Sequence, residues 1–184
     1  VAIDAYVFSA YKLFSKPGFG FAYLSPRLAN LPHAQLLGKP GSDWYLGTRD
    51  PGGFAAMSQV IDYFSWLAGE IDPHAPADRR GRIVAAIHAI QSHEAALSQV
   101  LLHGHEKLAG LINHPRVELH GRQHHCDGRE AVFAFSVTGV HTNKLVQEFV
   151  RRRIIVHDRV SDAYSRHTME ALGVPAIVRV SLAH

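Results

Sequence analysis

The chain of 184 residues carries 19 Lys+Arg against 16 Asp+Glu, a formal charge of +3 with its 14 histidines neutral, and is 47% hydrophobic and 19% charged. That composition excludes a disordered chain and leaves apolar material for one or two small domains. A single cysteine, Cys126, excludes an internal disulfide framework and fits a reducing, cytoplasmic setting. Lys12, Lys16, Asp62, Glu94 and Lys107 interrupt the apolar runs before any reaches the roughly 20 residues that cross a bilayer. Asp4 breaks the first apolar stretch with no basic segment ahead of it, so no secretory leader is expected. The basic residues are scattered, and their one dense run, Arg151-Arg152-Arg153, ends a predicted helix, where positive charge meets the negative end of the dipole. Neither a nucleic-acid nor a membrane partner is expected.

In chain order, Ala5 to Ser9 and Gly18 to Leu24 read as strands, joined by a polar turn through Lys12 to Lys16-Pro17-Gly18. Pro26 to Pro51, rich in Pro, Gly and polar residues, reads as a long loop. Phe54 to Leu67 has Met57, Val60, Ile61, Phe64 and Leu67 at helical spacing. The Asp72 to Asp78 stretch, with its prolines, is the expected domain boundary, giving residues 1–75 and 76–184. Arg80 to Ile112 forms the longest helical pattern, with Gly104 as a kink or break. Short strands follow at Val117 to Leu119, Ala131 to Val137, Ile154 to Val156 and Val178 to Leu182, with a helix at about Thr142 to Arg152. The order predicts a small α/β or α+β domain after a linker helix. Because the chain opens on Val1 within strand-like sequence and closes on His184 beside another strand, it reads as a piece of a longer protein.

Among residues that carry chemistry, Lys12 stands out. It leaves an apolar strand in a turn flanked by Ser9 and Tyr11, where partial dehydration would make its amine an imine-forming nucleophile. A solvated lysine after a strand is the plain alternative. The run His124-His125-Cys126-Asp127 offers metal-competent types, but neighbours on a strand point to opposite faces, so a solvated turn is the expectation and no metal site is assigned. His103 and His105, two apart, do not share a helix face, and His93-Glu94 reads as an exposed polar pair. Gly18 and Gly20 read as turn and close-packing positions.

The segment Asp4 to Phe14 followed by Pro17-Gly18-Phe19-Gly20 resembles the cofactor-lysine signature of class V aminotransferases and cysteine desulfurases. Gly47-Thr48 after an aromatic pair, His93-Glu94 with Leu97, and Val178-Arg179-Val180-Ser181-Leu182 are similar to further motifs of that family, in the family's order. The resemblance implies an α/β chain: the C-terminal part of a pyridoxal-phosphate-dependent transferase fold, with the end of the large cofactor domain, a long linker helix and a small domain. It implies pyridoxal 5'-phosphate as cofactor and Lys12 as its Schiff-base lysine, which also moves the substrate's α-proton. It further implies Ser9 and Tyr11 as phosphate partners, Tyr11 standing where many desulfurases have a histidine. Thr48 would reach the partner's phosphate across a homodimer, and Arg179 would grip the α-carboxylate of an amino-acid substrate. The family's pyridine-nitrogen aspartate and ring-stacking residue lie upstream of the lysine strand, and Asp4 belongs to the lysine motif instead. The desulfurase thiol would lie shortly before Arg179, yet His157 to Ala176 contains no cysteine and Cys126 comes earlier. Transaminase, lyase, epimerase and desulfurase chemistry therefore stay open, and the alternative is a non-catalytic fragment or scaffold that keeps the fold.

Overall fold

The first elements are an antiparallel hairpin, β1 (Ala5–Ser9) and β2 (Gly20–Leu24), in register from Ala5 opposite Leu24 to Ser9 opposite Gly20. The computed structural model describes residues 3–121 and 130–183; the run His124 to Asp127, with Cys126, lies outside them. Two units divide the chain, Val1–Ile87 and His88–His184.

In the first unit the hairpin strands are joined through a 3-10 turn at Ala10–Leu13, where a simple polar turn was expected. A short helix, α1 (Pro26–Ala29), opens inside the expected loop because Ser25 caps it and Pro26 holds its first position. Asp4 ties this corner down, accepting from Ser25 Oγ at 2.7 Å and pairing with the Arg27 guanidinium. Helix α2 (Pro51–Ile71) starts where Asp50 accepts the Gly53 N–H at 3.2 Å and Pro51 fills the first helical position. Its buried stripe, Val60, Phe64 and Ala68, repeats every four residues as a one-faced helix requires. Near its start, Phe19, Phe21 and Phe54 pack edge to face at 4.9–5.7 Å between ring centres. Gly53 has to be glycine there, since a Cβ would stand 2.5 Å from Phe19 Cε2.

Helix α3 (Arg79–His103) is shorter than its sequence pattern. Gly104, at φ +90°, turns the backbone into a two-residue hairpin, β3 (Gly104–His105) with β4 (Leu108–Ala109), so the apolar residues beyond it are not helical. The second unit is built on a four-stranded antiparallel sheet of β5 (Val117–His120), β6 (Val132–Val137), β7 (His157–Val160) and β8 (Ala176–Ser181), in the order β5-β6-β8-β7. Side chains alternate across a strand. One face carries Leu119, Phe133, Phe135 and Val178 into a core shared with Leu102 and Val156, and α4 (Thr142–Arg151) adds Leu145, Val146 and Phe149. The other face carries the row His120, Ala134, Arg179, His157, set by direct pairing across all four strands.

Two details of this unit depart from the sequence pattern. The apolar run Ile154-Ile155-Val156 is an approach to β7 and not a strand, with Ile155 85% exposed and only Val156 buried. A helix that apolar spacing did not reveal, α5 (Arg166–Leu172), follows β7 and ends at Gly173, φ +68°. Among the described residues no helix is long and apolar enough to cross a membrane.

Candidate functional site

Lys12 lies on the 3-10 turn, three residues after Ser9 and one after Tyr11, so these three are brought together by the chain itself. Ala10 pins the turn. It is fully buried, its N–H donates to the Phe19 carbonyl at 2.9 Å, and its own carbonyl accepts from the Ser15 N–H at 3.2 Å. The backbone leaves the turn at Phe14, which adopts a left-handed φ of +65° and sets its ring against Phe64 at 6.4 Å. Lys12 and Tyr11 are exposed and Ser9 is half-buried. The described residues thus do not supply the dehydration that would activate the amine. Lys12 makes no ion pair among them, and the Ser9 hydroxyl makes no capping bond.

Thr48 is exposed in the segment before α2. The structure ties that segment's end to the lysine turn: Lys16 Nζ and Asp50 Oδ2 are 2.5 Å apart, four residues from Lys12 and two from Thr48. The Lys16 ammonium, and then the Gly53 N–H, hold the Asp50 carboxyl below the ordinary carboxylate range. Between Pro40 and Arg49 the same segment is organised by Asp43, whose Oδ1 accepts the Tyr45 N–H at 3.0 Å, and by Arg49 lying 4.8 Å over the Tyr45 ring.

The groups on this turn suit part of a pyridoxal-phosphate site. An unpaired amine, the Ser9 hydroxyl and a second, buried hydroxyl without a partner, Ser15 Oγ, are the donor types that an aldehyde and a phosphate need. A carboxylate for the ring nitrogen is a different matter. Asp50 is held by Lys16, and Asp4 lies just before β1, roughly 17 Å from Ser9 at strand rise, paired with Arg27.

Arg179 lies in the other unit, half-buried at the middle of β8. Its Nε is buried without a hydrogen-bond partner. It lines a cavity of about 430 Å³ between the open sheet face and α5, with His120, Arg159, Ser165 and Thr168 as the other polar side chains and Met169 and Ile177 in its apolar wall. His120 is oriented by Ser136, Nε2 to Oγ 3.0 Å. Arg159 is a residue that sequence reasoning missed. Its signal was parity: it stands two residues beyond His157, the direct partner of Arg179, and so shares that face, but this is visible only once β7 is placed at His157–Val160.

Of the remaining candidates, His103 ends α3 exposed, and His105 Nε2 lies 3.7 Å from Glu106 Oε1. His93 is exposed, while Glu94 is half-buried and its backbone carbonyl accepts from Ser98 Oγ at 2.7 Å. Among the described residues no three His, Cys, Asp or Glu side chains gather as a metal site would require.

No family model matches the sequence, and no curated protein matches it. Solved structures do. The cysteine desulfurase CsdA (S-sulfonic acid) from Escherichia coli matches 98% of this chain at 20% identity with a TM-score of 0.63. The apo cysteine desulfurase from Thermococcus onnurineus NA1 matches 98% at 16% identity, also with a TM-score of 0.63. The chain spans 41% and 42% of those proteins, respectively. It therefore has the mixed α/β fold of part of a cysteine desulfurase, the fold class its motifs implied.

Proposed function

We propose that this chain is the C-terminal portion of a pyridoxal-phosphate-dependent enzyme of the class V aminotransferase and cysteine desulfurase type, acting on an amino acid as a cytoplasmic homodimer. The observation that supports this most is the Ser9–Lys12 turn, pinned by buried Ala10, in a chain that follows a cysteine desulfurase fold along 98% of its length. When bound, pyridoxal 5'-phosphate supplies an aldehyde and an electron-withdrawing ring. The Ser9 and Tyr11 hydroxyls donate to its phosphate, and Thr48 does so for the partner subunit. Lys12 Nζ holds the aldehyde carbon and, once released, carries the proton from the substrate's α-carbon. Arg179 grips the α-carboxylate through its planar fork, and its unpaired Nε is the donor left for that purpose. Since His157 to Ala176 holds no cysteine, the persulfide route has no thiol there, and transaminase, lyase and epimerase outcomes use the same residues.

A second reading, a scaffold that keeps the fold without the chemistry, is favoured by two observations: Lys12 is exposed, and among the described residues no unpaired carboxylate stands at its turn. Borohydride trapping separates the two. The chain is incubated with pyridoxal phosphate, reduced, and mapped by mass spectrometry, alongside Lys12→Ala. Selective labelling of Lys12 and a visible absorption band lost in Lys12→Ala support the enzyme. Labelling spread equally over exposed lysines such as Lys16 and Lys39 refutes it for this chain.

A further inference from the structure

We propose that the cavity on the open face of the second unit's sheet takes an amino acid bearing a second anionic group, with Arg159 receiving that group while Arg179 receives the α-carboxylate. This deepens the reading above and rests on it for the role of Arg179. Arg159 and Arg179 are diagonal neighbours across β7 and β8, on the same face, their backbones roughly 7–8 Å apart. Both are half-buried and both line the cavity. Two guanidiniums lining one cavity favour a ligand that brings negative charge to both.

Among the described residues, Asp162 is the carboxylate that senses Arg159, and it does not line the cavity. Among the described residues no carboxylate lines the cavity and neither arginine has an ion pair. Asp158 is nearest in sequence, but alternation sends it to the opposite face, where it pairs with core residue Val178. The pKa of the Asp162 carboxyl is lowered first by the Ser165 N–H and in part by Arg159, and its Oδ1 is engaged by the N–H groups of Tyr164 and Ser165 at 2.9 and 2.7 Å. Glu118 shares the face but stands on β5, three strands and roughly 14 Å from β7. The described lining thus sets two cations on one cavity, with one guanidinium Nε unspent, and the volume of about 430 Å³ suits a small ligand. One arginine suffices for a monocarboxylate. The second, two residues along the partner strand, has a use when the ligand carries another anion a few bonds away, whether carboxylate, sulfinate or phosphate.

The test is an NMR titration of the isotopically labelled chain with succinate and with butyrate, which share a four-carbon skeleton and differ by one acid. Succinate is expected to bind about tenfold or more tightly than butyrate, with shifts centred on β7, β8 and α5. Arg159→Gln is expected to bring succinate to the butyrate value and leave butyrate unchanged. Arg159→Lys, which keeps the charge without the fork, is expected to fall between them. Retention of the native amide spectrum identifies variants that fold. Equal affinity for the two probes, shifts elsewhere on the surface, or an Arg159→Gln effect equal for both overturns the proposal. Arg179→Gln reads the underlying assignment separately: it should weaken both probes. If both are unmoved by it, the α-carboxylate role of Arg179 fails, whatever Arg159 does.

Discussion

Replacing Gly53 with alanine sets two effects against each other. Alanine is the better helix former by about 0.8–1 kcal/mol in a helix interior, and Gly53 sits in the first turn of α2, where that gain is at its smallest. Against it, the new Cβ would stand 2.5 Å from Phe19 Cε2 and 2.7 Å from its Cγ, more than an ångström inside an ordinary carbon contact. The Phe19 ring cannot swing away freely, because Phe21 and Phe54 hold it edge to face at 4.9 and 5.3 Å. Overpacking of this kind costs about 1–3 kcal/mol, so the net effect is destabilising. Gly52→Ala is the control. It has the same helix benefit, but its Cβ would meet only Asp50 Oδ1 at 3.1 Å and Lys16 Nζ at 3.9 Å on an exposed surface. Urea unfolding followed by hydrogen exchange at α2 amides should place Gly53→Ala about 1–3 kcal/mol below Gly52→Ala. Exchange at the Ala10 amide should also quicken, since its acceptor is the Phe19 carbonyl. Equal stability of the two variants would mean that the Phe19 ring yields to the new Cβ at no cost.

Other consequences are as direct. Asp50 has its pKa depressed from 3.8 chiefly by Lys16, so its contribution to stability is present above the unfolded value and is lost as pH falls through the folded one. Exchange at the α2 N-terminus should therefore rise on acidification below about pH 4, and Asp50→Asn should flatten that dependence. Phe133, 1% exposed in the sheet core, should cost about 3–5 kcal/mol on truncation to alanine, read as a lower urea midpoint with unchanged slope. Gly104→Ala combines a φ of +90° with a Cβ placed 2.6 Å from the Gly110 N, and should destabilise by about 2 kcal/mol or more, with faster exchange at β3 and β4.

What could be read in the sequence follows from where its signals are local. The β1 and β2 strands, the α2 stripe and the Gly104 break come from alternation, four-residue spacing and a backbone requirement, all confined to a few neighbouring residues. The short α5 was illegible because its seven residues bury one side chain, Met169, too few for a period. At β7 the apolar residues Ile154 and Ile155 face solvent while polar residues His157, Asp158 and Arg159 form the ladder, so hydropathy pointed a few residues too early. That displacement hid Arg159. The lysine turn was legible as a motif, whereas the Lys16–Asp50 link joins residues 34 apart and needed the fold.

That link, with the Phe19–Phe54 ring contact beside it, also bears on how the chain tolerates change in length. Both ends of the segment between β2 and α2 are fixed independently of what runs between them. Closing such a loop costs entropy only logarithmically in its length, roughly 0.6 kcal/mol for each doubling. Insertions near Leu37, which is fully solvent-exposed, should therefore leave the hairpin and helix in place. The span carrying Thr48 can lengthen, shorten or be exchanged while the lysine turn keeps its geometry.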